Sequence, residues 1–175
     1  RIRTRVVGRP YAKVDAAAKV TGQTRFADDI VLPRMLHCKL LRAKIAHARI
    51  VRIDASKALA RPGVVAVATG RDLPIPFGIL PVSQDEHALC FDRVRFVGDP
   101  VAAVAAVDED AAFDALEAIE IEYEKLPPVG SIEDGLRPAA TPIHDDGDSG
   151  NIHKLVSMEF GDTQEGFARA DRVYE

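Results

Sequence analysis

Glu120, Glu122 and Glu124 stand at every second position of IEIEYEK, a spacing that puts three carboxylates on one face of an extended chain. Carboxylates so placed could hold a cation or share a proton. The same alternation, with Ile119, Ile121 and Tyr123 opposite, is what a half-buried strand needs, so the glutamates are expected to be its wet face. His144, Asp145, Asp146 and Asp148 suggest a metal loop, but their spacing does not match a calcium-binding loop and no later glutamate completes one. A solvated connector is expected there.

The five histidines offer no clearer chemistry. His37 falls on a strand, His87 follows acidic residues, and His144 and His153 flank a polar stretch. His47, at the start of AHARI, is expected to bond to backbone and fix a turn. Cys38 and Cys90 are far apart without CxxC spacing, so neither a zinc knuckle nor an iron–sulfur loop is written here, and two buried thiols are expected. No GxGxxG, Walker loop, nucleophile elbow or HExxH occurs. No catalytic, cofactor-binding or metal-ligating residue is therefore assigned.

The elements that carry these residues are most legible between Arg93 and Pro127. Val94 and Phe96 alternate with Arg93 and Arg95, which predicts a strand with its arginines wet. Gly98-Asp99-Pro100 then turns the chain, Gly98 taking a positive φ. The uncharged run Val101 to Val107 predicts a strand buried on both faces. Asp108 is a helix N-cap with Glu109 and Asp110 on the positive end, and Ala112, Ala115, Leu116 and Ile119 follow helical spacing.

Strands are also expected at Met35 to Ala43, Ala48 to Ile53 and Val64 to Ala68, with a short helix at Ala55 to Arg61 capped by Asp54 and closed by Pro62-Gly63. A turn at Gly22 precedes an extended piece around Phe26. Residues 72–82 hold three prolines among apolar residues and form no long regular element. Either Ile75, Phe77, Ile79 and Leu80 pack inward, or this loop borders a ligand channel or subunit interface. Ser131 caps one turn, with Asp134 in the capping-box position. Further on, a strand is expected at Ile152 to Phe160, a helix at Thr163 to Ala170 and another strand from Arg172.

The composition is that of a globular α+β protein, with 47% hydrophobic residues and a net charge of -4. At a pI near 5.8 there is no electrostatic reason to expect nucleic acid or an anionic membrane as partner. No apolar run is long enough for a membrane helix and no signal peptide is visible, so a cytoplasmic location is expected. A chain starting at Arg1 rather than Met and ending inside RVYE reads as a piece of a longer protein.

Taken in order, KVTGQTRFADDI, AHARIVRID, ARPGVVAVATGRDLP, RVRFVGDPVAAVAAVDEDAA, IEIEYEKLPPV and FGDTQEGFARADRVYE resemble the N-terminal part of the large, molybdenum-cofactor-bearing subunit of the xanthine dehydrogenase/aldehyde oxidase family. Within it, PFGILPV and RVRFVGDPVAAVAAVDE look most like the large (α) subunit of the 4-hydroxybenzoyl-CoA reductases. The resemblance implies an N-terminal arm (1–18), an α/β-hammerhead domain of mixed sheet and short helices (19–136), a linker (137–151) and the start of a molybdopterin-binding domain (152–175). It also implies that the parent enzyme carries molybdopterin, with iron–sulfur clusters and FAD on partner subunits and an aromatic acyl-CoA substrate. The family's cofactor loops and its catalytic glutamate lie further downstream, so Glu120, Glu122 and Glu124 are not expected to stand in for them.

Overall fold

The computed structural model describes residues 4–79, 84–144 and 150–174. In chain order the elements are α1 (Ala16–Val20), β1 (His37–Arg42), β2 (Ala48–Asp54), α2 (Ser56–Leu59), β3 (Val64–Thr69), β4 (Arg93–Val94), β5 (Pro100–Ala106), α3 (Glu109–Glu117), β6 (Glu120–Lys125), α4 (Ile132–Gly135) and α5 (Thr163–Ala168). The strands form two antiparallel three-stranded sheets, ordered β1-β5-β3 and β4-β2-β6.

The alanine-rich run becomes the central strand of the first sheet because its small side chains let a helix lie close. Ala102, Val104 and Ala106 are fully buried beneath Ala112, Ala115 and Leu116 of α3. The helix starts where Asp108 Oδ1 accepts a hydrogen bond from the Ala111 amide at 2.8 Å. A second cluster, Ala43, Cys90, Val94 and Val101, lies beside the other sheet. Ile53 and Ile121 pack against both clusters, so the two sheets share one interior. Burying a valine such as Val94, Val101 or Val104 stabilises by about 1.5–3 kcal/mol.

Several expectations change on folding. The other face of β5 is only half-covered, because Ala103 and Ala105 lie in register with exposed Leu40 and Cys38 and no described element packs over them. Cys38 is thus exposed, whereas Cys90 is buried. The Arg93 strand is two residues long, since Asp99 accepts the Arg95 amide at 2.9 Å and closes the turn at once. Alternation then fails: Phe96 is exposed, and Arg93 is buried where the returning chain meets its guanidinium at the Pro142 carbonyl, 3.3 Å away. The turn itself is as expected, with Gly98 at φ +99°.

Around Phe26 the chain forms a 3-10 turn at Ala27–Asp29, because the Asp29 carboxylate accepts the Phe26 amide at 2.9 Å. The unexpected helix α1 (Ala16–Val20) runs across the expected boundary between arm and hammerhead domain at 18/19. Helix α2 is shorter than expected and Ala55 is its N-cap, yet Asp54 still accepts from the Ser56 amide at 3.0 Å. The stretches 152–160 and 172–174 are not strands, since no described strand lies beside them to complete a ladder. In the proline-rich loop Ile75 and Ile79 are 82% and 88% exposed, so neither packs inward. Among its described residues Phe77 forms an antiparallel bridge with Glu86; Leu80 lies outside the described residues.

Candidate functional site

The acidic row on β6 is a solvated strand face. In register with β2, Glu124 faces Arg49, Glu122 faces Arg52 and Glu120 faces Asp54. All three glutamates are exposed, and Glu120 forms an ion pair with Lys57 that raises the lysine pKa above its ordinary value. Glu120 is thus paired across to α2, while Glu122 and Glu124 stand on the exposed face opposite Arg52 and Arg49. Among the described residues no group of three His, Cys, Asp or Glu side chains is arranged to hold a metal ion.

The histidines are dispersed. His144 Nδ1 lies 3.3 Å from Asp85 Oδ2, and Asp145, Asp146 and Asp148 fall outside the described residues. His87 stacks on Phe91 with ring centroids 5.7 Å apart. His37 lies 3.6 Å from Glu109, whose carboxyl is held below its ordinary pKa chiefly by the hydrogen bond from Lys39, with the charges of Lys39 and His37 adding to it.

His47 is the one buried histidine among the described residues, and it joins two loops. Its Nδ1 lies 2.9 Å from the Pro127 carbonyl oxygen and donates to it, while Nε2 is buried without a hydrogen-bond partner among the described residues. The Leu126 amide donates back to the His47 carbonyl at 3.0 Å. This double tie shapes the wall of a cavity of about 470 Å³, lined by Lys44, Ile45, Tyr123, Lys125, Leu126 and Pro128. On the other side of Pro127-Pro128 a second cavity of about 430 Å³ is lined by Pro128, Val129 and Arg137 among others.

Two further residues organise their surroundings without a local sequence signal. Asp99 closes the turn before β5 and lies against Cys90, whose thiol is pushed far above its ordinary pKa by burial and by that carboxylate. Asn151 accepts from the Ile143 amide at 2.8 Å and donates to the carbonyls of Thr141 and Gly135 at 3.1 and 3.3 Å. Short polar stretches conceal such roles, because the partners are backbone groups far along the chain.

At Gly70 the position of a Cβ is filled by the Cys90 carbonyl oxygen at 2.1 Å, so two backbone segments pack there directly. The buried nitrogens of His87 and Arg95 that make no hydrogen bond do not converge with His47 Nε2 on one cavity.

Comparison with known proteins identifies the family to which this fold belongs. Residues 21–127 match the family described as aldehyde oxidase and xanthine dehydrogenase, a/b hammerhead domain. The chain is 42% identical over 173 residues to a probable xanthine dehydrogenase component of Bacillus subtilis, covering 97% of this chain and 23% of that protein. It is 41% identical to the nicotinate dehydrogenase large molybdopterin subunit of Eubacterium barkeri, covering 97% and 39%. The aldehyde oxidoreductase of Desulfovibrio gigas superimposes with a TM-score of 0.77 at 32% identity, over 93% of this chain and 19% of that one. The chain thus spans between about a fifth and two-fifths of these proteins. With that match running from just before the first sheet to the end of β6, the chain belongs to the aldehyde oxidase and xanthine dehydrogenase family and carries its α/β-hammerhead domain.

Proposed function

We propose that this chain is the hammerhead portion of the large subunit of a molybdenum hydroxylase, a scaffold that packs against the cofactor-bearing part of the enzyme. The observation that carries this reading is the family match over 21–127, set beside terminal segments whose apolar side chains have no cover of their own. Val7 and Val14 toward one end, and Leu155, Met158 and Phe160 toward the other, are all more than three-quarters exposed. Large apolar side chains left open in this way suit burial against a neighbouring part of the protein. On this reading 1–18 is an arm, 19–136 the hammerhead domain, 137–151 a linker and 152–175 the beginning of a molybdopterin-binding domain.

The parent enzyme would carry molybdopterin, with iron–sulfur clusters and FAD on partner subunits, and would work in the cytoplasm. Among the described residues no helix is long and apolar enough to cross a membrane. The bound cofactors would supply the redox chemistry. This chain's residues hold shape and contacts, and no step of the reaction is assigned to them.

For the substrate, the likeness of PFGILPV and RVRFVGDPVAAVAAVDE to 4-hydroxybenzoyl-CoA reductases supports reductive removal of the para-hydroxyl of 4-hydroxybenzoyl-CoA, giving benzoyl-CoA. A second reading, oxidation of a purine or N-heterocycle, is favoured by the relatives named for xanthine and nicotinate. The parent enzyme, purified with its partner subunits, decides between them. Dehydroxylation of 4-hydroxybenzoyl-CoA with a low-potential donor supports the first, and turnover of xanthine or nicotinate without it selects the second. A native assembly without molybdenum would overturn both.

A further inference from the structure

A cavity of about 350 Å³ lies where β2, the turn after β3 and the Phe91 segment meet. Its volume is that of a small-molecule site, for which roughly 300–1,000 Å³ is usual. Two backbone features build it. The register of β2 against β6 shifts between Ile50 and Arg52, so Val51 is an extra residue that bulges the strand along the cavity wall. Gly70, also on the cavity, lets another backbone come so close that a Cβ would lie 2.7 Å from the Phe91 Cα, and this sets Phe91 beside Arg71.

The charges on this cavity are unevenly used. Arg52 is paired with Asp54 at 2.6 Å. Asp72, the acidic neighbour of Arg71 in sequence, is taken up by the Thr69 amide and hydroxyl at 2.7 and 2.9 Å. Arg71 and Glu122 form no ion pair among the described residues, so one guanidinium and one carboxylate are left over on a single cavity. Ile50, Ile53 and half-exposed Phe91 supply its apolar lining. A ligand that satisfies all of these needs a carboxylate for Arg71, an ammonium for Glu122 and a planar apolar body for Phe91. A simple anion would meet Glu122 as a like charge, and a simple cation would meet Arg71.

We propose that this cavity binds an aromatic α-amino acid as its zwitterion, the carboxylate on Arg71, the ammonium on Glu122 and the ring against Phe91. The site is carried by the hammerhead fold itself and does not depend on the reaction proposed for the parent enzyme.

The test is phenylglyoxal modification of arginines in the native protein with its partners, read by peptide mass spectrometry with and without L-tryptophan. Saturating L-tryptophan should slow modification of Arg71 roughly fivefold, since a cavity of this kind covers most of its ligand, while Arg61, exposed and outside the cavity, is unchanged. Indole-3-propionate lacks the ammonium and tryptamine lacks the carboxylate. Each should need a roughly tenfold higher concentration for the same protection, because each gives up one charge-assisted hydrogen bond. Glu122→Gln, a conservative change at an exposed position, should leave the far-UV circular dichroism unchanged and bring tryptophan and indole-3-propionate to equal potency. An Arg71 rate that tryptophan does not alter, an Arg71 already unreactive in the native protein, or equal protection by all three compounds overturns the proposal. So does a tryptophan advantage that survives Glu122→Gln.

Discussion

Replacing Gly70 by alanine tests how the two sheets are joined. Gly70 lies just after β3, buried against the segment that carries Cys90. A Cβ placed there would meet the Cys90 carbonyl oxygen at 2.1 Å, its carbonyl carbon at 2.6 Å and the Phe91 Cα at 2.7 Å. Ordinary contact begins at 3.4 Å, so one backbone must retreat by about 1.3 Å. Neither has room to do so cheaply. Leu89 and Cys90 are buried, and the Cys90 amide donates to the Pro100 carbonyl at 2.7 Å at the start of β5. Forced overpacking of a core costs about 1–3 kcal/mol and more where backbone must shift, so Gly70→Ala is expected to cost about 3 kcal/mol. With an m-value of roughly 2 kcal/mol/M, the urea midpoint followed by circular dichroism should fall by about 1.5 M. Since whole domains are stable by only about 5–15 kcal/mol, that is a large fraction of the total. A midpoint within about 0.2 M of wild type would refute the argument, because it would mean that the Cys90 backbone yields freely.

Gly98→Ala isolates the opposite cause, as φ is +99° but nothing lies within 4 Å of the new Cβ; a smaller loss of about 1–2 kcal/mol is expected in the same urea experiment. His47→Ala removes the tie to the Pro127 carbonyl and leaves that acceptor without its donor, which should cost about 1–3 kcal/mol by thermal or urea unfolding. Glu109, held below its ordinary pKa by Lys39, contributes stability that is present above the unfolded carboxylate pKa of 4.5 and is lost as pH falls through the lower folded value. Its NMR titration should therefore move up toward 4.5 in Lys39→Met, and an unchanged midpoint would contradict the assignment. At a pH of about 8 a disulfide reagent should modify exposed Cys38 promptly, while Cys90, buried and with its thiol pKa raised, should react only as fast as the fold opens.

Local rules reach far in this chain where the partner is a neighbour in sequence. Asp108 caps α3, Ser131 caps α4, Gly98 turns the chain before β5, and the alternation of β6 is visible in its letters. Those rules fail where a distant segment decides. Arg93 sits where alternation predicts a wet residue, yet residues near Pro142 return over it and bury it. Residues 152–160 have strand composition, but a strand exists only with a neighbour to share its hydrogen bonds. The proline-rich loop left two outcomes open because side chains of equal hydropathy pack inward or stay outside according to what lies beneath them.

The amino-acid sequence by itself determined the α+β character, most element positions, the family and the absence of recognisable phosphate or metal motifs, because these follow from spacing along one chain. Only the tertiary structure decided that Glu120 is spent on Lys57, that Ile53 and Ile121 join two sheets around one interior, and that His47 clamps Pro127 at the wall of a cavity beside Lys44 and Lys125. The physical reason is common to all three. Each depends on groups many residues apart being held a few ångströms from one another, and only the closed fold supplies that proximity.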